Sequence, residues 1–158
     1  MDKKDNHHLF RLSELDDYEV ANNDPDIRSW PVIGADDKKL GVVNEFIVDK
    51  EAEKVRYVDI KAASEFAHAG GERHLIVPIG LVEVGEEGDD TVYLELLDQE
   101  KLMNTPVFHG GPVTRDYEHE VREVLHGNGY NRTLEHKEFY HDPFFDDGGL
   151  YRRRNRAK

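Results

Sequence analysis

Between Trp30 and Leu97 the apolar residues come in short blocks separated by polar turns, and this punctuation limits the possible folds more than any other feature of the chain. Trp30 to Ala35 runs into the turn Asp36-Asp37-Lys38-Lys39, and Leu40 to Asp49 runs into Lys50-Glu51-Ala52-Glu53. That arrangement predicts a β-hairpin followed by a second tight turn. Next, Val55, Tyr57 and Ile60 alternate with Arg56, Val58 and Asp59, the period expected of a half-buried strand. Residues 62–73 read as a loop. Leu75 to Ile79 reads as a short strand continued by Leu81, Val82 and Val84, and the acidic turn Gly85 to Asp90 leads into Thr91 to Leu97, where Val92, Leu94 and Leu96 alternate with Tyr93 and Glu95. Strands this short, joined by turns with no helix between them, predict a mainly β fold, a small antiparallel barrel or sandwich.

Two helices are expected outside the strands. Thr114 is placed to cap a helix over 114–126, with Tyr117, Val121, Val124 and Leu125 on one apolar face and Gly127 as its stop. A single turn is expected at Ser13. His109-Gly110-Gly111-Pro112 combines two glycines and a proline and marks a boundary. The chain therefore divides into an N-terminal arm (1–16), a β domain (17–108) and a C-terminal helix and tail (109–158).

Thirty-four acidic against 21 basic residues leave a net charge of −13, which repels phosphate backbones and speaks against nucleic-acid binding. Residues 30–108 carry 17 acids and 8 bases, a net −9, whereas 109–158 carry 9 of each. With no cysteine in the 158 residues, disulfides, thiolate metal sites and Cys nucleophiles are excluded. No apolar run is long enough for a membrane helix, and MDKKDNHH lacks a signal-peptide hydrophobic region, so a cytoplasmic location is expected, at most peripheral to a membrane.

A set of ordered blocks carries a resemblance: Asp17-Tyr18-Glu19-Val20-Ala21, Asp24-Pro25-Asp26-Ile27-Arg28, Trp30-Pro31-Val32-Ile33-Gly34, Leu40-Gly41-Val42-Val43, Val55-Arg56-Tyr57-Val58-Asp59 and Leu75-Ile76-Val77-Pro78-Ile79-Gly80. Over about residues 15–108 the chain resembles the PRC-barrel family, in particular the cytoplasmic domain of the photosynthetic reaction-centre H subunit. The resemblance implies a small, strongly bent β-barrel and a non-enzymatic role. It also marks Asp59 as a proton-path candidate, against the ordinary reading of an exposed strand carboxylate. The membrane helix of the H subunit has no counterpart here, and residues 109–158 look instead like the ends of free-standing PRC-barrel proteins.

Other candidate sites come from the residues themselves. His119, Glu123 and His126 stand at i, i+4, i+7, a spacing able to hold a divalent metal, although a solvated face opposite the apolar one is the plainer expectation. The acidic run Glu83 to Asp90 lacks the alternating ligands of a calcium loop and reads as a solvated turn. Neither a nucleophile signature nor a phosphate-cradling glycine loop is present, and no cofactor is expected. The tail is more telling. Phe139, Tyr140, Phe144, Phe145 and Tyr151 are followed by Arg152, Arg153, Arg154, Arg156 and Lys158, the composition of a peptide that docks through aromatic anchors onto an acidic surface. The expected partner-binding residues are Tyr117, Val121, Val124 and Leu125 on the helix, and Phe144, Phe145, Arg152, Arg153 and Arg154 in the tail. The sequence thus reads as a non-enzymatic PRC-barrel assembly module that self-associates. The alternatives are an accessory protein of a membrane or photosynthetic electron-transfer complex and a His-based metal-binding protein.

Overall fold

The computed structural model describes residues 9–15, 26–67, 69, 71–86, 88–127, 139–140 and 143–145. Among the described residues, seven strands form one strongly bent, open sheet: β1 (Leu9–Arg11), β2 (Pro31–Ile33), β3 (Lys39–Asp49), β4 (Lys54–Ala62), β5 (His74–Pro78), β6 (Val82–Val84) and β7 (Val92–Leu94), in the order β5-β4-β3-β2-β7-β6 with β1 paired to β3. The expected hairpin is β2–β3, closed by a turn in which Gly34 N–H donates to the Lys38 carbonyl and Asp37 takes a left-handed φ of 62°. A second, expected hairpin joins β6 to β7.

Strand β3 shapes the sheet. One side of it pairs with β4 along its length, while the other side pairs first with β2 and then, near its end, with β1. Register shifts at Val43/Glu45 and Ile47/Val48 bend it between these partners, as bulges do. Gly41 sits where the strands crowd, since a Cβ there would collide with the Lys61 carbonyl of β4. β2 and β7 pair in parallel, Val32 against Val92, so the sheet is mixed rather than purely antiparallel.

Three expectations change. Arg56 to Ile60 of β4 are all buried, not alternately exposed, because the sheet interior takes one face and the C-terminal elements cover the other. β7 ends at Leu94, where the chain turns back with Leu97 N–H on the Leu94 carbonyl, leaving Leu96 42% exposed and burying Leu97. A short helix that the sequence reading missed, α1 (Gln99–Asn104), follows, capped by Asp98, whose side chain accepts from the Lys101 N–H at 2.9 Å. The turn near Ser13 is a 3₁₀ turn over Leu12–Glu14.

Helix α2 (Arg115–His126) forms as its sequence predicts. Thr114 accepts from the Tyr117 N–H at 3.1 Å, and Gly127 ends the helix at φ 83°. It lies across the outer face of β4, with its residues Val121 and Leu125 in the core. Beyond it, Phe139, Tyr140 and a 3₁₀ turn at Pro143–Phe145 pack on the same seam, Phe139 and Phe145 joining the core outright. The expected tail residues Tyr151, Arg152, Arg153, Arg154, Arg156 and Lys158 lie outside the described residues. No described helix is long and apolar enough to cross a membrane.

Candidate functional site

Period two puts Tyr57 and Asp59 on the outer face of β4, and the structure builds a different polar site around each. Asp59 is only 2% exposed, so it is not the exposed carboxylate that strand alternation alone suggests. Its Oδ2 accepts from Asn44 Nδ2 on β3 at 2.9 Å, and its Oδ1 lies 3.0 Å from His74 Nδ1 on β5. The other ring nitrogen of His74 is 3.2 Å from Glu72 Oε1, and Glu72 Oε2 is 3.0 Å from Lys61 Nζ. Each ring nitrogen of His74 thus faces a carboxylate oxygen. The partnership with Lys61, then His74, holds the Glu72 carboxyl below its ordinary range.

Asn44, Asp59, Glu72 and His74 line an open cleft of about 340 Å³, together with Arg11, Val107, Phe108, His109 and Gly110. Tyr117 of α2 packs behind Phe108. Its hydroxyl donates to the Pro106 carbonyl at 2.8 Å, its ring stacks on Phe108 with centroids 6.2 Å apart, and burial, then the Asp59 charge, pushes its ionisation well up. The phenol therefore stays protonated and ties residues 106–108 to the helix.

The second site is the seam between β4, α2 and the C-terminal segment. Glu118, fully buried, accepts from the Tyr57 hydroxyl at 2.6 Å and the Tyr140 hydroxyl at 2.7 Å on one oxygen, and from Arg115 Nε at 3.2 Å on the other. Burial pushes the Glu118 carboxyl up, while Arg115 and the two tyrosine hydroxyls pull it back. Tyr57 is raised in turn, first by burial and then by the Glu118 charge, so it remains a donor. Around this carboxyl the guanidinium groups lie on aromatic faces: Arg115 is 4.2 Å from the Phe139 centroid, Arg56 4.2 Å from Tyr140 and Arg122 4.5 Å from Phe144. Phe145 meets Tyr57 edge to face at 5.4 Å.

The partner-binding residues expected from sequence are thus largely covered by their own chain. Val121 and Leu125 are buried and Tyr117 and Val124 half-buried, while Phe145 is buried and Phe144 half-buried against α2. The metal set is divided. His119 is 5% exposed, its ring edge-on to Phe139 at 5.3 Å, whereas Glu123 and His126 are exposed, and among the described residues no three His, Asp or Glu side chains converge to hold a metal ion. Of the three, only His119 is turned from solvent, covered by Phe139, so its expected orientation is corrected.

Sequence reasoning missed Glu118, Arg115, Arg122 and Tyr57 at the seam, and Arg11, Asn44, Glu72 and His74 at the cleft. Arg115, Glu118 and Arg122 at i, i+3, i+7 form a polar stripe that looks like an exposed face, and only the aromatic tail hinted at what covers it. A family model of the PRC-barrel domain matches residues 19–100, more than half of the chain, a span that holds β2 to β7 and with them Asn44, Tyr57, Asp59 and His74. On this match, and on the bent sheet it covers, the chain belongs to the PRC-barrel family.

Proposed function

We propose that the chain is a non-enzymatic protein-binding module that associates with a second copy of itself, residues 17–108 forming the module and 109–158 supplying the contact. PRC-barrel domains in general are non-catalytic and mediate protein interactions, which supports the broad reading. The observation that carries the finer one is the seating of Phe145 against Tyr57. Arg152 follows Phe145 by seven residues, and an extended chain of that length reaches about 24 Å, a span that keeps the barrel within reach of the basic run. Arg152, Arg153 and Arg154 then meet a barrel whose residues 30–108 carry a net −9. With the apolar face of α2 consumed inside the chain, charge complementarity is the attraction left to a second copy.

Light scattering on the full chain at ionic strengths of about 0.01 and 1 M tests this, since exposed charge pairs are screened across that range. A dimer mass at low salt should fall toward the monomer at high salt, and replacing Arg152, Arg153 and Arg154 by Gln should do the same without salt. A monomer at low salt that does not respond to concentration overturns the proposal.

A second reading, an accessory protein of a membrane or photosynthetic electron-transfer complex, is favoured by the line of groups from buried Asp59 through His74 to exposed Glu72. On this reading Asp59 exchanges protons with solvent through the imidazole. Asp59→Asn should then displace the pH titration of the His74 ring in nuclear magnetic resonance spectra, and an unmoved titration would remove Asp59 from any such path.

A further inference from the structure

The cleft beside Asp59 holds a cation whose bonding is incomplete. Arg11 ends β1, opposite Ile47 of β3, and reaches into the cleft toward the Gly110 turn, where a Cβ on Gly110 would lie 3.8 Å from its Nη1. Its Nε is sealed from solvent and has no hydrogen-bond partner among the described residues. The side chain's one partner among the described residues is Glu14, at 3.3 Å in a half-open i, i+3 pair. A guanidinium has five N–H donors, so most of this fork is uncommitted.

The acids of the same cleft, in contrast, are taken. Asp59 is engaged by Asn44 and His74, and Glu72 by Lys61 and His74. Beyond these acids the cleft offers the Arg11 guanidinium fork and, beside it, His109 and the apolar surface of Val107 and Phe108. We infer that it binds a small monocarboxylate with an apolar body, the carboxylate taken by Arg11 and the body laid on Val107 and Phe108.

Three considerations select this class. An Arg fork matches the two oxygens of a carboxylate, and drawing the side chain outward by a rotamer step would give the sealed Nε–H its acceptor. A dianion such as phosphate would meet the charges of Asp59 and Glu72 in the same space, where like charges repel. The volume, about 340 Å³, is at the small end of pockets that enclose organic ligands, roughly 300 to 1,000 Å³. This binding activity stands independently of self-association, which concerns the seam around Tyr57 and the C-terminal segment.

The test is a titration of the ¹⁵N-labelled full chain with phenylacetate, with phenylacetamide and inorganic phosphate as comparators. Phenylacetate should give saturable shifts at the amides of residues 11, 44, 74 and 107–110, and phenylacetamide should bind about tenfold more weakly, as loss of a charge-assisted pair implies. Arg11→Gln should weaken phenylacetate to the same degree, and Arg11→Lys should recover part of the loss. Should Arg11→Gln fail to fold, the comparison of acid with amide on the unaltered chain decides alone. Equal binding of acid and amide, phosphate binding tighter than phenylacetate, shifts centred elsewhere, or no saturation at millimolar ligand each overturn the inference.

Discussion

The Tyr140 hydroxyl donates to Glu118 Oε1 at 2.7 Å, so a residue beyond the end of α2 completes the hydrogen bonding of a carboxyl buried beneath that helix. Tyr57 of β4 donates to the same oxygen at 2.6 Å, which makes Glu118 the joint of three separate pieces of chain. Removing a buried acceptor leaves its donors unsatisfied, and the cost falls on all three.

Glu118→Leu should therefore destabilise the protein by about 3 kcal/mol, since two tyrosine hydroxyls and the Arg115 guanidinium lose their acceptor inside the structure. Glu118→Gln, which keeps a carbonyl oxygen, should cost less. Urea denaturation measures both, and an unchanged midpoint for the leucine variant would refute the joint.

The same carboxyl gives a pH dependence with a definite sign. Burial raises its pKa above the ordinary 4.5, so the folded state holds a proton that the unfolded state releases. The stability this confers is complete below about pH 4.5 and is lost as pH rises through the folded-state value. Denaturation of wild type and Glu118→Gln across pH 4 to 8 should show a component that declines with pH in the first and is missing in the second. Identical pH profiles would contradict it.

Phe145 lies on Tyr57 and is 6% exposed, so Phe145→Ala should cost about 3 to 4 kcal/mol if the segment is part of the core. Amide exchange adds a local readout. Tyr140 and residues 121–125 should lose protection in the variant while β3 and β4 keep theirs, and an unaltered exchange pattern would mean that the segment adds nothing to the seam.

Chelation should leave the melting temperature unchanged, and so should Glu123→Ala and His126→Ala, because His119 is packed on Phe139 while the other two face outward. A fall of several degrees on adding a chelator would show that these side chains rearrange around an ion.

Strands from β2 onward were readable in the sequence because each depends on neighbours in the chain, whereas β1, inside the expected N-terminal arm, was not. Alternation marks a strand wherever one face is wet, and Asp36-Asp37 or Gly85 to Asp90 can only be turns. The cap Thr114 and the stop Gly127 made α2 equally plain. Alternation lost its meaning at β4, where Arg56 and Asp59 are polar yet buried, because a second layer of structure covers the outer face. The same layer inverted the reading of α2: Glu118, His119 and Arg122 look solvated by periodicity and are covered by Phe139, Tyr140, Phe144 and Phe145, the first of them twelve residues past the helix stop at Gly127. The cleft was out of reach of sequence for the same reason, since Arg11, Asn44, Asp59 and His74 come from four strands that only the sheet register brings together. Local pattern, then, determined the strands, the turns, the caps and the family, because those rest on steric and solvent preferences of adjacent residues. Which polar groups go inside, and which of them meet, was decided only in three dimensions, where a buried charge finds its partners far along the chain.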